Sequence, residues 1–245
     1  MHTQKTPLLI GLRAAKANLV PGLIVQALMV GLLVAYYMQP SVHAWLSTLA
    51  EAKAKGGLPF SMLAASLAGG VLPEILTIVA FQGGKPRIEN ARNLLFTLPY
   101  WTFDGLVVDL FYRYQTHLFG AQVDFITVTK KVLFDQLVFS ALLTTPLGMA
   151  CYEWKHQNYS FHRLSRVWTF TFYKNKSFPT LIACWGVWVP LVAIIYSLPP
   201  LLQFPMFSLG LTFWVMLFNY ISAIHKPKSP LPFSTQVGDA SAFQQ

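Results

Sequence analysis

Charge is what this sequence has least of. Only 11% of its 245 residues are Asp, Glu, Lys or Arg, and of the nine acids none falls in the first fifty positions. An ordinary soluble surface needs about a quarter of its residues charged, so such a surface is excluded. Cysteine is nearly absent as well: Cys151 and Cys184 stand apart, with no C-x-x-C or Cys/His grouping. That excludes a disulfide framework and a zinc site, and leaves two small apolar side chains. The six histidines fall at segment ends or in loops, so their spacing assembles no metal cluster, and no metal or other cofactor is expected. Also missing are G-x-S-x-G, H-E-x-x-H and a phosphate loop, since Gly83-Gly84-Lys85-Pro86 has neither the upstream Gly nor the Ser or Thr.

What is present is apolar: 54% hydrophobic and 15% aromatic residues, with a mean hydropathy of +0.48. Six stretches are long and apolar enough to cross a bilayer, near 18–38, 58–81, 93–112, 132–152, 178–198 and 203–224. The class that follows is all-α, a polytopic transmembrane bundle of about six spanning or membrane-buried helices, because barrel strands do not run so continuously apolar. The stretch from Ala17 to Met38 is too long for a secretory core and reads as a retained first span. Residues 1–57 thus form a basic segment plus that span, and 58–225 the main bundle. Residues 226–245, rich in Pro, Ser, Thr and Gln, are expected to be a disordered tail.

The net charge of +9 comes from Lys and Arg placed in connections and ends rather than along one face. No nucleic-acid partner is expected from that placement. With alternate connections assigned to opposite sides, 13 basic residues gather on the side of Lys5, Lys85, Lys155 and Lys226, against 5 on the side of Lys53, Lys55, Arg113, Lys130 and Lys131. Both termini are then expected on the cytoplasmic or matrix-like side, where the excess also attracts anionic lipid. Both N-x-S sequons, at Asn158 and Asn175, fall on that side too, where glycosylation does not occur. Between Tyr159 and Lys176 aromatic and basic residues alternate, the composition of an interfacial helix at headgroup level. The uncharged link around Pro199-Pro200 implies a tight hairpin or a re-entrant segment.

Four carboxylates, Glu74, Asp104, Asp109 and Asp135, lie inside these apolar stretches, with Gln136 beside the last. An acid at the centre of a spanning helix costs about 2.5–3.5 kcal/mol, so each must face protein, a counter-charge or water. Asp104 and Asp109 are about 140° apart on a helix and need separate partners. Arg113 stands four residues after Asp109, and Lys131 four before Asp135, which makes both of them ion-pair candidates. Ala65, Gly69 and Gly70 form a small-residue face for close helix packing, and Pro73 bends the helix just before Glu74.

Several of these motifs occur together in one family. Lys130-Lys131-Val132-Leu133-Phe134-Asp135-Gln136 resembles a K-x-x-x-D-Q signature at the start of a span, and Gly105 to Tyr112 is similar in spacing to G-P-x-x-H-x-W-Y. Trp188-Val189-Pro190 with Tyr196 and Pro199 resembles W-P…N-F-x-x-V-P, and Trp214 with Asn219-Tyr220-Ile221-Ser222 resembles F-W-N-x-Y-L-S. These belong to the peroxisomal membrane protein family of about twenty-two kilodaltons, which includes the Mpv-seventeen protein of the mitochondrial inner membrane. Leu106, Asp109 and Phe111 depart from the family's Pro, His and Trp, and Pro73-Glu74 replaces its G-D pair, so the resemblance is to a divergent member. It implies a poorly selective pore for small solutes or metabolites. The membrane it implies is mitochondrial inner or peroxisomal in a eukaryote, with the plasma membrane the bacterial equivalent.

The function expected is therefore a pore or channel, not an enzyme, whose polar interior is edged by Glu74, Asp104, Asp109, Asp135 and Gln136. Its partners are membrane lipids, small solutes and a possible second copy in a homo-oligomer. A non-conducting scaffold or assembly factor is the alternative, and an intramembrane lipid enzyme the third, with thin motif support. The topology is directly testable by protease protection of tags placed before Lys5 and after Gln245. Both tags are expected on one side; cleavage of the two from opposite sides rejects the six-span arrangement.

Overall fold

A computed structural model describes residues 6–160 and 169–225, with side chains as far as Met216. The expected tail at 226–245, the stretch 161–168 and the side chains of Asn219 to Ser222 lie outside the described residues. The chain forms α1 (Pro7–Ala17), α2 (Leu19–Met38), α3 (Pro40–Phe81), α4 (Ile88–Phe119), α5 (Phe125–His156), α6 (Phe170–Tyr196) and α7 (Pro200–His225). The bundle is all-α, with no strand among the described residues. Helices α2 to α6 are long and apolar enough to cross a membrane, and α7 adds a shorter apolar run at Pro200–Met216. Large apolar side chains such as Leu63, Leu95, Phe125 and Ile126 stay exposed on the outside, as a lipid-facing surface requires. This is an integral membrane protein.

The connection expected as a loop between the first two spans is helical instead. Pro40, whose missing N–H costs nothing at a first helical position, opens α3, and the helix runs until Gly57 breaks it with φ 57° and ψ −135°. Gly57 tolerates that backbone because it has no Cβ, and the spanning part, 58–81, begins directly after it. Likewise the described part of the aromatic-basic segment, from Phe170 on, is continuous with the span of α6 rather than a separate interfacial helix. A turn at 197–199 joins α6 to α7 as a tight hairpin, with the Leu198 and Leu202 amides bonded to the Ile195 and Pro199 carbonyls.

Prolines shape three of the spans. Pro73, Pro146 and Pro179 each lack the N–H that would reach the carbonyl four residues earlier, and each follows a π-helical stretch, at Leu67–Val71, Asp135–Thr144 and Tyr173–Ser177. The carbonyls that lose their i+4 donor, those of Gly69, Leu142 and Asn175, all lie inside those widened turns, where the ring clash is relieved. Pro99, Pro190 and Pro205 lie inside helices without such widening, so proline alone is not sufficient. At the start of α5, the Asp124 carboxylate caps the Ile126 and Thr127 amides at 3.0 and 3.1 Å. Hydrogen bonds from Thr127 hold its carboxyl below the usual carboxylate range, so this cap is present near neutral pH and lost on acidification.

Two helix pairs set the bundle's frame. In the antiparallel pair α3/α4, Lys53 meets Asp109, Ser61 and Ala65 meet Gly105, Gly69 meets Trp101, Gly70 meets Leu98, and Glu74 meets Asn90. The turn between them uses Gly83 and Gly84, both at positive φ. In the second pair the residue numbers rise together: Gly11 lies on Pro179 and Ile182, Gly22 on Val187, and the Tyr37 hydroxyl donates to the Ser197 carbonyl at 2.9 Å. The first and fifth spans thus run parallel, as alternating crossings require. Helix α7 packs against α2, α3, α4 and α6, and its Leu202, Phe204 and Met206 form much of the core.

The α3/α4 seam is close because it is built from small residues. A Cβ on Gly105 would stand 2.6 Å from the Ser61 carbonyl oxygen and 2.7 Å from the Ala65 Cβ, and one on Gly69 would overlap the Trp101 ring. Overpacking typically costs about 1–3 kcal/mol. Gly69→Leu and Gly105→Leu are therefore expected to lower the melting temperature in detergent, whereas Gly31→Ala, with nothing within 4 Å of its Cβ, is not. An equal response at all three positions would count against the seam.

Candidate functional site

A cavity of about 210 Å³ opens between α4, α5, α6 and α7. Helix α4 gives it Asp104, Val108 and Tyr112, a row four residues apart on one helical face. From α5 come Asp135, Ser140 and Thr145, five apart, because this stretch is π-helical and its turns close at five residues rather than four. In a regular α-helix a five-residue step turns about 140° away. Here it brings the Ser140 hydroxyl to Asp135 Oδ1 at 3.2 Å. Trp188 and Cys184 on α6 and Phe207 and Trp214 on α7 complete much of the wall, so one of the two thiols read as plain apolar residues lines the cavity.

Asp135 is buried and held by neutral donors. Its Oδ1 also accepts from Gln136 Nε2 at 2.9 Å, and its Oδ2 accepts a short hydrogen bond from the Tyr196 hydroxyl. The expected Lys131–Asp135 ion pair is not formed, because these three donors occupy the carboxylate. Lys131 is fully buried nonetheless, and its ammonium makes no hydrogen bond among the described residues. Its backbone carbonyl accepts from Gln115 Nε2 at 3.1 Å, which ties α5 to α4.

The other two acids lie elsewhere. Asp109, 3% exposed, accepts on Oδ2 from Lys53 at 2.8 Å and from Arg113 at 3.2 Å. Lys53, expected in an exposed loop, is buried; it also donates to the Gly57 carbonyl at 2.9 Å, which the break in α3 turns toward it. Glu74, at the opposite end of the α3/α4 pair, accepts from Asn90 Nδ2 at 2.8 Å. Asn90 Oδ1 in turn accepts the Arg87 amide at 2.7 Å, and Lys155 donates to the nearby Asn93 at 3.0 Å. The four carboxylates therefore do not edge one lumen: Asp104, Asp135 and Gln136 line the cavity, while Asp109 and Glu74 clamp the two ends of α3/α4.

No family model, curated protein or solved structure matches this chain. The site is thus read from its own geometry. Among the described residues no group of three His, Cys, Asp or Glu could hold a metal ion. Sequence reasoning missed Lys53, Tyr196 and Gly105. Lys53 and Tyr196 act over separations of 56 and 61 residues, which no local pattern encodes. Gly105 stands four residues after Trp101, the spacing of a packing face, and was legible on that ground.

The Lys53–Asp109 pair gives a separate prediction. Breaking a deeply buried pair strands the remaining charge and costs about 3–5 kcal/mol, whereas an apolar pair of similar size is tolerated. Asp109→Leu is expected to lose folded protein, and Lys53→Met with Asp109→Leu to recover it, as read by size-exclusion chromatography in detergent. A double variant as damaged as the single one would show that the pair does not couple α3 to α4.

Proposed function

We propose that this integral membrane protein is a divergent member of the Mpv-seventeen family and passes small polar solutes along a route that includes the cavity between α4 and α7. The observation that carries the reading is the cavity wall: two carboxylates, the Gln136 amide and the Ser140 and Thr144 hydroxyls face inward from helices whose outer faces are apolar. Polar groups in a spanning bundle are retained where they serve a path or a site. The reading is of transport because these polar groups lie inside a bundle whose outer faces are apolar. The membrane is taken as an organelle membrane or its bacterial equivalent, from the family resemblance alone.

A second reading, the non-conducting scaffold, has its own support. Asp109 and Glu74 are engaged in contacts that join helices, as acids that only glue a bundle would be. Recording from purified protein in planar bilayers separates the two. A conducting cavity should give discrete current steps with cation preference, since inward carboxylates repel anions. Asp135→Asn removes a charge and turns an amide N–H₂ toward one of three donors, which costs about 1–3 kcal/mol but leaves the fold in place. Its cation-to-anion permeability ratio is expected to fall toward one. Silence from folded protein moves the assignment to the scaffold, and an unchanged ratio in the variant removes Asp135 from the conducting route.

A further inference from the structure

The cavity's charge has one sign. Asp104 and Asp135 line it, and among the described residues no Lys, Arg or His does. Asp135 is satisfied by neutral donors, but Asp104 has no ion pair and no hydrogen bond among the described residues. A carboxylate on a largely aromatic wall without a counter-charge has much to gain from a cation brought in by a ligand. The remaining wall says which cation. Tyr100, Trp101, Tyr112, Trp188 and Trp214 surround the space, and aromatic faces attract alkylammonium groups through the ring quadrupole. A hard metal ion instead seeks about six oxygen ligands, and the second carboxylate here, Asp135, is already taken up by three donors within the protein. At about 210 Å³ the cavity exceeds the roughly 150 Å³ that holds a benzene molecule.

We infer that this cavity binds a small organic ammonium ion, its charge against Asp104 and its alkyl groups against the aromatic wall. The inference deepens the pore reading by naming a solute class, and it rests on that reading for the ligand's way in. It also gives Asp104 a role that Glu74, Asp109 and Asp135, each already bonded within the protein, do not need.

The test uses the full chain in lipid nanodiscs. Choline is titrated as the probe against its uncharged isostere dimethylbutanol, in which carbon replaces the ammonium nitrogen, and the protein's tryptophan fluorescence, to which Trp101, Trp188 and Trp214 of the cavity wall contribute, is followed. Choline should saturate the signal and bind roughly tenfold or more tightly than the isostere, the scale of a desolvated charge contact. Asp104→Asn should erase that preference. Equal binding of the two probes, or displacement of choline by an equal concentration of sodium, overturns the inference. The comparison on the unaltered protein decides the matter even if Asp104→Asn fails to fold. Choline binding with silent bilayers would sink the pore reading alone, and conduction without choline binding would sink this inference alone.

Discussion

An ionised group inside hydrocarbon has no water to turn to, and the bundle is organised around meeting that need from within. Placing an acid mid-span costs about 2.5–3.5 kcal/mol, and this chain does so four times. Asp109 is met by two cations, Glu74 by an asparagine, Asp135 by a hydroxyl pair and an amide. Apart from Arg113, which stands one turn on from Asp109 on the same helix, each partner comes from another helix or from a widened turn of α5, and Lys53 and Tyr196 fix which helices touch. Lys53 illustrates the coupling: its ammonium binds both Asp109 on α4 and the carbonyl that the Gly57 break exposes. The break, the burial of a lysine and the seam between α3 and α4 are one arrangement.

The π-helical stretches extend the same logic to the backbone. A proline inside a span leaves one carbonyl without its donor, which in lipid has to be relieved locally. Widening the turn does so, and at Asp135–Thr144 it has a second effect. Side chains five apart come onto one face, so Asp135, Ser140 and Thr145 all reach the cavity. A regular α-helix would have sent one of them toward lipid.

The architecture was legible because hydrocarbon thickness sets segment length, and apolar runs of that length are visible in the chain. The start of the second span at 58, after a glycine pair, follows from the same rule. Ala65, Gly69 and Gly70 were legible as a packing face because small residues recur at helical spacing, and Trp101 and Gly105 lie against it. The pairing of Asp109 with Arg113 is a four-residue step. What stayed hidden is of another kind. Lys53 reads as a loop charge until the chain before Gly57 is seen to be helical, and Tyr196 stands in the sequence only as part of a motif until α6 is laid against α5. Lys131 shows the opposite error, since a four-residue step to Asp135 is a statistical partner only, and three neutral donors outcompete it.

The division of the acids between clamps and cavity has a mechanical consequence. Asp109 and Glu74 hold the two ends of the α3/α4 seam, and between them Trp101 packs on Gly69 while Gly105 packs on Ser61 and Ala65. Asp104 stands next to Gly105 and one turn from Trp101, on a stretch of helix pinned from its other side. Holding a charged group on a rigid element lets binding proceed without first ordering the site, which is where loosely held sites lose affinity. Trp101 serves both faces, since it fills the space left by Gly69 and also lines the cavity. The small residues of α3 therefore reach the cavity without touching it: they let Trp101, one of its lining rings, close on the helix.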